Sequence, residues 1–278
     1  NGKNVRITNA IDAQAIYNEL LSSPFVVSKF DVKEGKRNPL PPFKTSTLQQ
    51  EAARRLGFSP QKTMRAAQSL YEGVDLPGRG SVGLITYMRT DSLRVAPESI
   101  STARKFIEEN FGKKFLPEKP HQYVSKGRSQ DAHEAIRPTD IRLVPDEIGQ
   151  HLTKDQKALY ELIWKRFLAS QMVPATVART NVEVQSGPYT LKQSGVTMIF
   201  EGWSKLWPLD LKEETLPEAT VGEKLALLKL DKEQKFTKPP SRYTESGLVK
   251  VMEEKGIGRP STYATIIQTL YDRYYVER

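Results

Sequence analysis

The spacing of apolar residues changes twice along this chain, and these changes restrict the folds that it can adopt. Between the proline cluster at residues 39–42 and residue 175, apolar side chains recur at helical spacing, as Leu159, Leu162 and Phe167 do. The flanking stretches, residues 25–32 and those after Thr176, instead alternate with a period close to two. If strands from the two flanks pair, the helical stretch is an insertion between them. The spacing therefore predicts a multidomain α+β protein in which a mostly helical domain interrupts a β-rich domain.

The predicted domain boundaries lie at the proline cluster and at the change of period. Residues 1–37 and 174–235 are predicted to form the β-rich domain, residues 38–173 the helical domain, and residues 236–278 part of a further helical domain. A capping box of Ser46 with Gln49 is predicted to begin one helix, and Ser59-Pro60 and Thr153 are predicted to begin two others. Strands are predicted at residues 5–8, 25–32, 177–184, 189–193, 196–200 and 224–230, with turns at 186–188 and 194–195.

The stretch Leu84–Ser92 carries the most informative chemistry in the chain. Its residues are β-branched, aromatic or apolar until the last three, which favour turns, so we expect a strand that ends in a turn. Alternate residues of a strand share a face, which would place Tyr87 and Arg89 side by side. A phenol can attack a phosphodiester, and a guanidinium can hold the phosphate and favour the phenolate. The alternative is that Tyr87 is a half-buried packing residue, as most tyrosines in strands are.

A second informative stretch is Ser129–Pro138. His133 and Arg137 are four residues apart, so they would face the same way on a helical turn that ends at the proline. The stretch begins like the HExxH zinc motif, but Arg137 stands where the second histidine would be, so that interpretation is rejected. An imidazole here could orient a phosphate or assist a proton transfer. The alternative is a surface turn that carries an ordinary histidine.

Two further stretches, Phe236–Tyr243 and Gly256–Tyr263, lie toward the end of the chain. A helix is predicted between them and another after them, so the glycine-rich turn would join a pair of helices as in a helix-turn-helix. Arg259 and Ser261 are predicted at the start of the second helix, where free N–H groups and the helix dipole favour a phosphate. The alternative is a simple turn with a capping serine.

Composition limits the partners and the chemistry. The chain has 42 basic and 33 acidic residues, a formal net charge of +9, which suits a nucleic acid partner, although a merely soluble basic protein is the alternative. The chain contains no cysteine, which excludes disulfides, thiol catalysis and cysteine-ligated zinc within it. It has no apolar run long enough to span a bilayer and no secretory leader, so we expect no membrane partner and a cytoplasmic protein.

The four stretches, in this order, resemble the active-site segments of bacterial type IA DNA topoisomerases, and the resemblance covers nearly the whole chain. It implies that Tyr87 attacks the DNA backbone and forms a 5′-phosphotyrosine link. It also implies that Arg89 and His133 are catalytic. The DNA-binding residues that the resemblance implies are Arg137, Arg242, Arg259, Ser261 and Thr262.

The resemblance further implies an architecture and partners. The β-rich domain would be the arch, or hinge, of a toroidal enzyme, the helical domain would carry the tyrosine, and residues 236–278 would belong to the domain that binds single-stranded DNA. The partner would be DNA, as a single-stranded gate segment and a passing strand. The enzyme would relax negatively supercoiled DNA without ATP, since the phosphotyrosine ester conserves the bond energy, and it would be a monomer.

The sequence also departs from the family pattern. The family uses an acidic, Mg²⁺-binding Toprim domain with a catalytic glutamate and a lysine, but no Asp-x-Asp pair occurs in this chain, and the zinc-ribbon tail common in the family is absent. The first residue is Asn1 and not a methionine, so the chain is expected to be a fragment. Because the family's Mg²⁺ ligands belong to the Toprim domain, we expect this chain to bind no Mg²⁺ itself. We expect it to bind DNA but not to turn over alone. The rival hypothesis is a non-catalytic nucleic-acid-binding module that uses the C-terminal helix pair.

Overall fold

The computed structural model describes residues 5–124 and 133–277. The chain forms two compact units and passes between them several times. The first unit contains the residues up to Arg37 together with Thr176–Phe200 and Asp210–Pro240. The second contains Asn38–Ala175, Glu201–Leu209 and the residues from Ser241 onward.

The described residues form eight α-helices and six strands, besides three short 3-10 turns. None of these helices is long and apolar enough to cross a membrane. In chain order the elements are α1 (Ala10–Ser22), β1 (Phe25–Arg37), α2 (Thr45–Leu56), α3 (Pro60–Glu72), β2 (Val74–Leu76), β3 (Gly80–Val82), α4 (Pro97–Phe111), α5 (Pro145–Ile148), α6 (Lys154–Ser170), β4 (Ala175–Ser186), β5 (Tyr189–Phe200), β6 (Lys224–Leu225), α7 (Glu245–Glu254) and α8 (Tyr263–Asp272).

A four-stranded sheet in the order β5-β4-β1-β6 is the centre of the first unit. Strands β4 and β5 form an antiparallel hairpin whose register runs from Thr176 opposite Phe200 to Ser186 opposite Tyr189. Strand β1 lies between β4 and β6, and β6 pairs with its first residues in the antiparallel direction. The structure therefore confirms that strands from both sides of the helical stretch join in one sheet.

Several local predictions in this unit are wrong. Residues 5–8 form no strand, and β6 is only two residues long. The predicted turn at residues 194–195 does not exist, because Gly195 stays in the β4–β5 ladder opposite Thr180 and the hydrogen bonds of the hairpin override the local turn preference. The predicted turn at residues 186–188 is confirmed. There Gly187 has a φ of 53°, a left-handed conformation that glycine adopts without strain.

The core of the second unit lies between α2, α3 and α6. Helix α3 begins as predicted, because the Ser59 hydroxyl accepts the N–H of Lys62 at 3.1 Å and Pro60 takes the first helical position. Helix α6 also begins as predicted, with Thr153 and Gln156 forming a reciprocal capping box. The fully buried apolar side chains of this core include Leu48, Ala52, Ala67, Leu70, Leu159 and Ile163.

The start of α2 differs from the prediction, since Ser46 and Gln49 do not form a capping box. The helix begins two residues earlier than predicted, at Thr45, and the backbone N–H of Lys44 donates to the Thr47 hydroxyl at 3.1 Å. Ser46 and Gln49 are buried in the packed face of the helix instead. A tertiary bond fixes the start, because the N–H of Thr45 donates to the carbonyl of Thr90 at 2.9 Å.

Helices α7 and α8 belong to the second unit, where α7 packs against α2 and α8 against α3. An ion pair of 2.6 Å between Lys44 and Glu253 links the N-terminus of α2 to α7. The two helices also have a small core of their own, formed by Val249, Met252, Tyr263 and Ile267. Residues 241–278 therefore form no separate compact unit, while the predicted division into three family domains stays a prediction.

Candidate active site

The segment Leu84–Ser92 is not the strand that its sequence pattern predicts. Among the residues that the structure describes, its one bridge pairs Ile85 with Pro138, and its first two residues are both buried, so its side chains do not alternate between two faces. The reason is that its backbone bonds to several separate parts of the chain. The N–H of Leu84 donates to the carbonyl of Leu70 at the end of α3, at 2.7 Å.

Two threonines hold the part of this segment that contains Tyr87. Before the tyrosine, the N–H of Thr86 donates to the Arg137 carbonyl at 2.9 Å, and its hydroxyl donates to the Ala135 carbonyl at 2.7 Å. After the tyrosine, the buried hydroxyl of Thr45 donates to the Met88 carbonyl at 2.7 Å. The same hydroxyl accepts the N–H of Thr90 at 2.9 Å. The backbone on both sides of Tyr87 is therefore fixed by residues distant in sequence.

The ring of Tyr87 contacts two other rings. The centroid of Tyr71, at the end of α3, lies 5.4 Å away with an angle of 66° between the planes. The centroid of His133 lies 5.5 Å away with an angle of 43°. Tyr87 is partly exposed, and its ring is supported by these two neighbouring rings.

The structure brings His133 beside Tyr87 as expected, but not on a helical turn. Residues 133–137 are extended, because the N–H of Ile136 donates to the Phe43 carbonyl at 2.7 Å and the N–H of Ala135 donates to the Arg94 carbonyl at 2.8 Å. The helical spacing therefore predicted the wrong backbone. The beginning of this sequence stretch, residues 129–132, lies outside the described residues.

Arg137 makes contacts that its predicted role in DNA binding does not use. Its side chain is buried, its Nε donates to a carboxylate oxygen of Glu134 at 2.8 Å, and its Nη1 donates to the Pro138 carbonyl at 2.9 Å. The Glu134 carboxylate also accepts the N–H of Ala96 at 3.3 Å, just before α4. Arg137 also lines a cavity of about 380 Å³ beside α4. Its observed contacts hold the His133 segment in place, and a contact with DNA stays a prediction.

Arg89 lies close to the glycine-rich turn before α8. It is exposed and lines a cavity of about 240 Å³ together with Pro260 and Ser261. The first and fourth sequence stretches, which are far apart in the chain, therefore meet at one cavity. Its other lining residues come from α3 and α8 and are Gln61, Met64, Ala264, Thr265, Gln268, Thr269 and Asp272.

The turn before α8 has a defined internal structure. Gly258 has a φ of 80°, a left-handed conformation that favours glycine, and a Cβ at this position would also press against Cδ1 of Ile266 at 2.9 Å. The N–H of Arg259 donates to the Thr262 hydroxyl at 2.8 Å. Helix α8 begins only at Tyr263, so the prediction that Arg259 and Ser261 start this helix is wrong by two or more residues. The Thr262 hydroxyl bonds within the turn and makes no capping bond to α8, which begins at the next residue.

The predicted DNA-binding residues near α7 and α8 are all on the surface. Arg242, Arg259, Ser261 and Thr262 are exposed. Beneath them, burial raises the pKa of Tyr263, the carboxylate of Glu253 raises it further, and the Arg259 guanidinium acts in the opposite direction. The exposed Arg259 thus lies near a tyrosine that stays protonated at neutral pH.

Two features of the site were missed by sequence reasoning. Tyr71, in the last turn of α3, is 41% exposed and contacts Tyr87 through its ring. Thr45, at the start of α2, holds the Tyr87 segment through its hydroxyl. No local pattern marks either role, because both depend on a contact with a distant part of the chain.

No group of three or more His, Asp or Glu side chains that could hold a metal ion lies together within residues 5–124 and 133–277. The described residues therefore do not fit a magnesium site, and no step below passes through a metal ion. That Mg²⁺ ligands belong to a Toprim domain stays a prediction.

Comparison with known proteins extends these observations. The multidomain α+β fold matches the solved structure of full-length topoisomerase I from Thermotoga maritima with a TM-score of 0.84 and 42% identity, over 100% of this chain and 45% of that one. The sequence model of the DNA topoisomerase family matches residues 1–278. The chain therefore belongs to the DNA topoisomerase family.

Two bacterial relatives agree with this family assignment. DNA topoisomerase 1 of Haemophilus influenzae is 47% identical over 99% of this chain, which corresponds to 31% of the relative. DNA topoisomerase 1 of Campylobacter jejuni is 48% identical over 97% of this chain and 39% of the relative. The chain thus spans about a third of the length of these relatives.

Proposed function

We propose that this chain carries the nucleophile of a bacterial type IA DNA topoisomerase that relaxes negatively supercoiled DNA without ATP. The Tyr87 oxygen would bond to a DNA phosphorus while the bond from that phosphorus to the 3′ oxygen breaks. The phenol loses its proton, and the departing 3′ oxygen gains one. The product is a 5′-phosphotyrosine ester, and the reverse reaction reseals the strand after another strand has passed.

The observation that carries this proposal is the position of Tyr87. Its phenol is partly exposed, its backbone is held on both sides, and His133 lies against its ring. The imidazole could accept the phenol proton or orient the phosphate. Arg89 is two residues away and exposed, so it could stabilise the charge that develops on the phosphate oxygens.

The bound strand would continue from Tyr87 toward the turn before α8. Support comes from the cavity that Arg89 shares with Ser261 and from the exposed Arg242, Arg259 and Thr262. Lysine and arginine contacts with phosphates would supply most of the affinity, which would fall as salt rises. The partner would be DNA, as a single-stranded gate segment and a passing strand, and the protein would act as a monomer in the bacterial cytoplasm.

We further propose that this chain alone binds single-stranded DNA but does not turn over. The 3′ oxygen leaves as an alkoxide unless an acid protonates it. In the family resemblance that acid belongs to the Toprim domain, together with the Mg²⁺ ligands. The described residues offer no carboxylate cluster that could replace that domain.

A second candidate function is a non-catalytic nucleic-acid-binding module. It is favoured by the small core that α7 and α8 share and by the exposed Arg259 next to them. Such a module would need neither Tyr87 nor the contacts that hold it.

Replacing Tyr87 by Phe separates the two proposals, because only the attacking oxygen is removed. The variant should be made in a protein of the relatives' full length that carries this chain. We expect relaxation of supercoiled DNA to be lost while binding of a single-stranded oligonucleotide stays within about twofold. A covalent protein–DNA adduct formed by the Phe variant would overturn the proposal, and unchanged relaxation would favour the binding module.

A further inference from the structure

Tyr71 combines two properties that are unusual for a packing residue. It lies in the last turn of α3, and the residue is 41% exposed, so its ring is not enclosed by the core. Yet the ring stands edge-to-face against Tyr87, with the centroids 5.4 Å apart. No hydrogen-bond partner of its hydroxyl occurs among the residues that the structure describes, so the contact is made by the ring alone.

The backbone is built to bring these two rings together. The short hairpin of β2 and β3 returns the chain to the end of α3, where the Leu84 N–H donates to the Leu70 carbonyl at 2.7 Å. At Gly83 a Cβ would lie 2.7 Å from the Tyr71 carbonyl oxygen, closer than real contacts allow. The glycine thus permits the approach that places Tyr87 beside Tyr71.

A partly exposed tyrosine that must attack a phosphorus gains from such a contact. Its ring can rotate about two side-chain bonds, and only some orientations point the oxygen at the phosphate. An edge-to-face pair contributes about 0.5–1.5 kcal/mol beyond the burial of area. Because a misplaced reacting atom lowers the rate steeply, a contact that favours the attacking orientation raises the rate of the chemical step.

We propose that Tyr71 is a positioning residue that holds the ring of the nucleophile Tyr87 in its attacking orientation. This inference rests on the proposed function of Tyr87. It assigns the effect to the ring of Tyr71 and gives its hydroxyl no role. The residue acts through Tyr87 and need not touch the DNA.

The test compares Tyr71→Ala with Tyr71→Phe in a protein of the relatives' full length, with Tyr189→Ala as the control for loss of a tyrosine in the other unit. The rate of covalent adduct formation is measured in single turnover at saturating single-stranded oligonucleotide. We expect Tyr71→Ala to lower this rate roughly two- to twelvefold. Tyr71→Phe should restore the wild-type rate, and Tyr189→Ala should match it.

Two further measurements distinguish positioning of Tyr87 from a loss of DNA binding or of folding. The affinity for the oligonucleotide should be unchanged in Tyr71→Ala, and the midpoint of thermal unfolding should fall by only a few degrees, as the loss of one ring contact predicts. A fall in affinity equal to the fall in rate would overturn the inference, because Tyr71 would then be a platform on which a base stacks. An unchanged rate in Tyr71→Ala, or an equal loss in Tyr71→Phe, would also overturn it.

Wild type and Tyr87→Phe are measured alongside to keep the two proposals separate. If the wild type forms an adduct that Tyr87→Phe abolishes, the proposed function stands, and a normal rate in Tyr71→Ala then refutes only the role of Tyr71. If the wild type forms no adduct that depends on Tyr87, the proposed function fails first.

Discussion

Replacing Thr45 by Val should both destabilise the second unit and slow the chemistry at Tyr87. The side chain is completely buried, and valine has nearly the same shape but lacks the hydroxyl. The change leaves the Met88 carbonyl without its 2.7 Å donor and the Thr90 N–H without its 2.9 Å acceptor. Each buried polar group that loses its partner costs about 1–3 kcal/mol, so for the two groups we expect a loss of roughly 2–6 kcal/mol in the free energy of unfolding.

Urea denaturation, monitored by tryptophan fluorescence, measures this loss in the second unit. The sequence contains three tryptophans, Trp164, Trp203 and Trp207, and all of them belong to the second unit. With a urea dependence of about 2 kcal/mol per molar, the midpoint should fall by roughly 1–3 M. In the full-length protein, adduct formation should slow as well, because one of the two anchors beside Tyr87 is gone.

Thr102→Val is the matched control. Its hydroxyl donates to the Glu98 carbonyl within the exposed surface of α4, at 2.9 Å, and water can replace that bond. We expect its midpoint to stay within about 0.3 M of the wild type, which corresponds to a change of about 0.5 kcal/mol. A midpoint for Thr45→Val that equals that of Thr102→Val would refute the claim that Thr45 holds the Tyr87 segment.

Three further predictions concern binding, cleavage and pH. Arg259→Ala should weaken single-stranded DNA binding and reduce the slope of log affinity against log salt concentration by about 0.7. Lys33→Ala, the control, should change neither the affinity nor the slope. Equal slopes for both variants would contradict the role of Arg259. The chain alone, given Mg²⁺ and a labelled oligonucleotide, should bind it without efficient cleavage, and efficient cleavage would show that the acid is encoded here. Burial raises the pKa of Glu51, but hydrogen bonds from Arg54 and Arg55 outweigh it and leave this pKa lowered. The resulting stability is present above the unfolded pKa of about 4.3 and is lost as pH falls through the folded value, so the difference in stability between wild type and Glu51→Gln should shrink in acid. A difference independent of pH would contradict this assignment.

The predictable parts of the fold are those whose signals are local. Ser59-Pro60 and Thr153 mark helix starts because a side chain caps its own helix, and Gly187-Pro188 marks a hairpin because the turn is made within those residues. The strands of the sheet were predictable for the same reason, because apolar residues alternate along each strand whichever strands it pairs with.

The parts that could not be predicted depend on distant partners. Leu84–Ser92 has the composition of a strand, but its hydrogen bonds go to the end of α3, to Thr45 and to the His133 segment, and no single neighbouring strand is available. The His133 segment is extended for the same reason. The pairing of Arg137 with Glu134 could be suspected from their spacing, but their burial could not, because it depends on how this extended segment meets the start of α4.

The proposed mechanism depends above all on Tyr87 forming a covalent ester with the 5′ end of a cut DNA strand. A protein of the relatives' full length that carries this chain is incubated with a single-stranded oligonucleotide, denatured and digested, and the peptide bound to DNA is identified by mass spectrometry. We predict that the nucleotide is attached through its 5′ phosphate to the peptide containing Tyr87, and that the released strand ends in a free 3′ hydroxyl. Attachment to another residue, or through a 3′ phosphate, would contradict this mechanism.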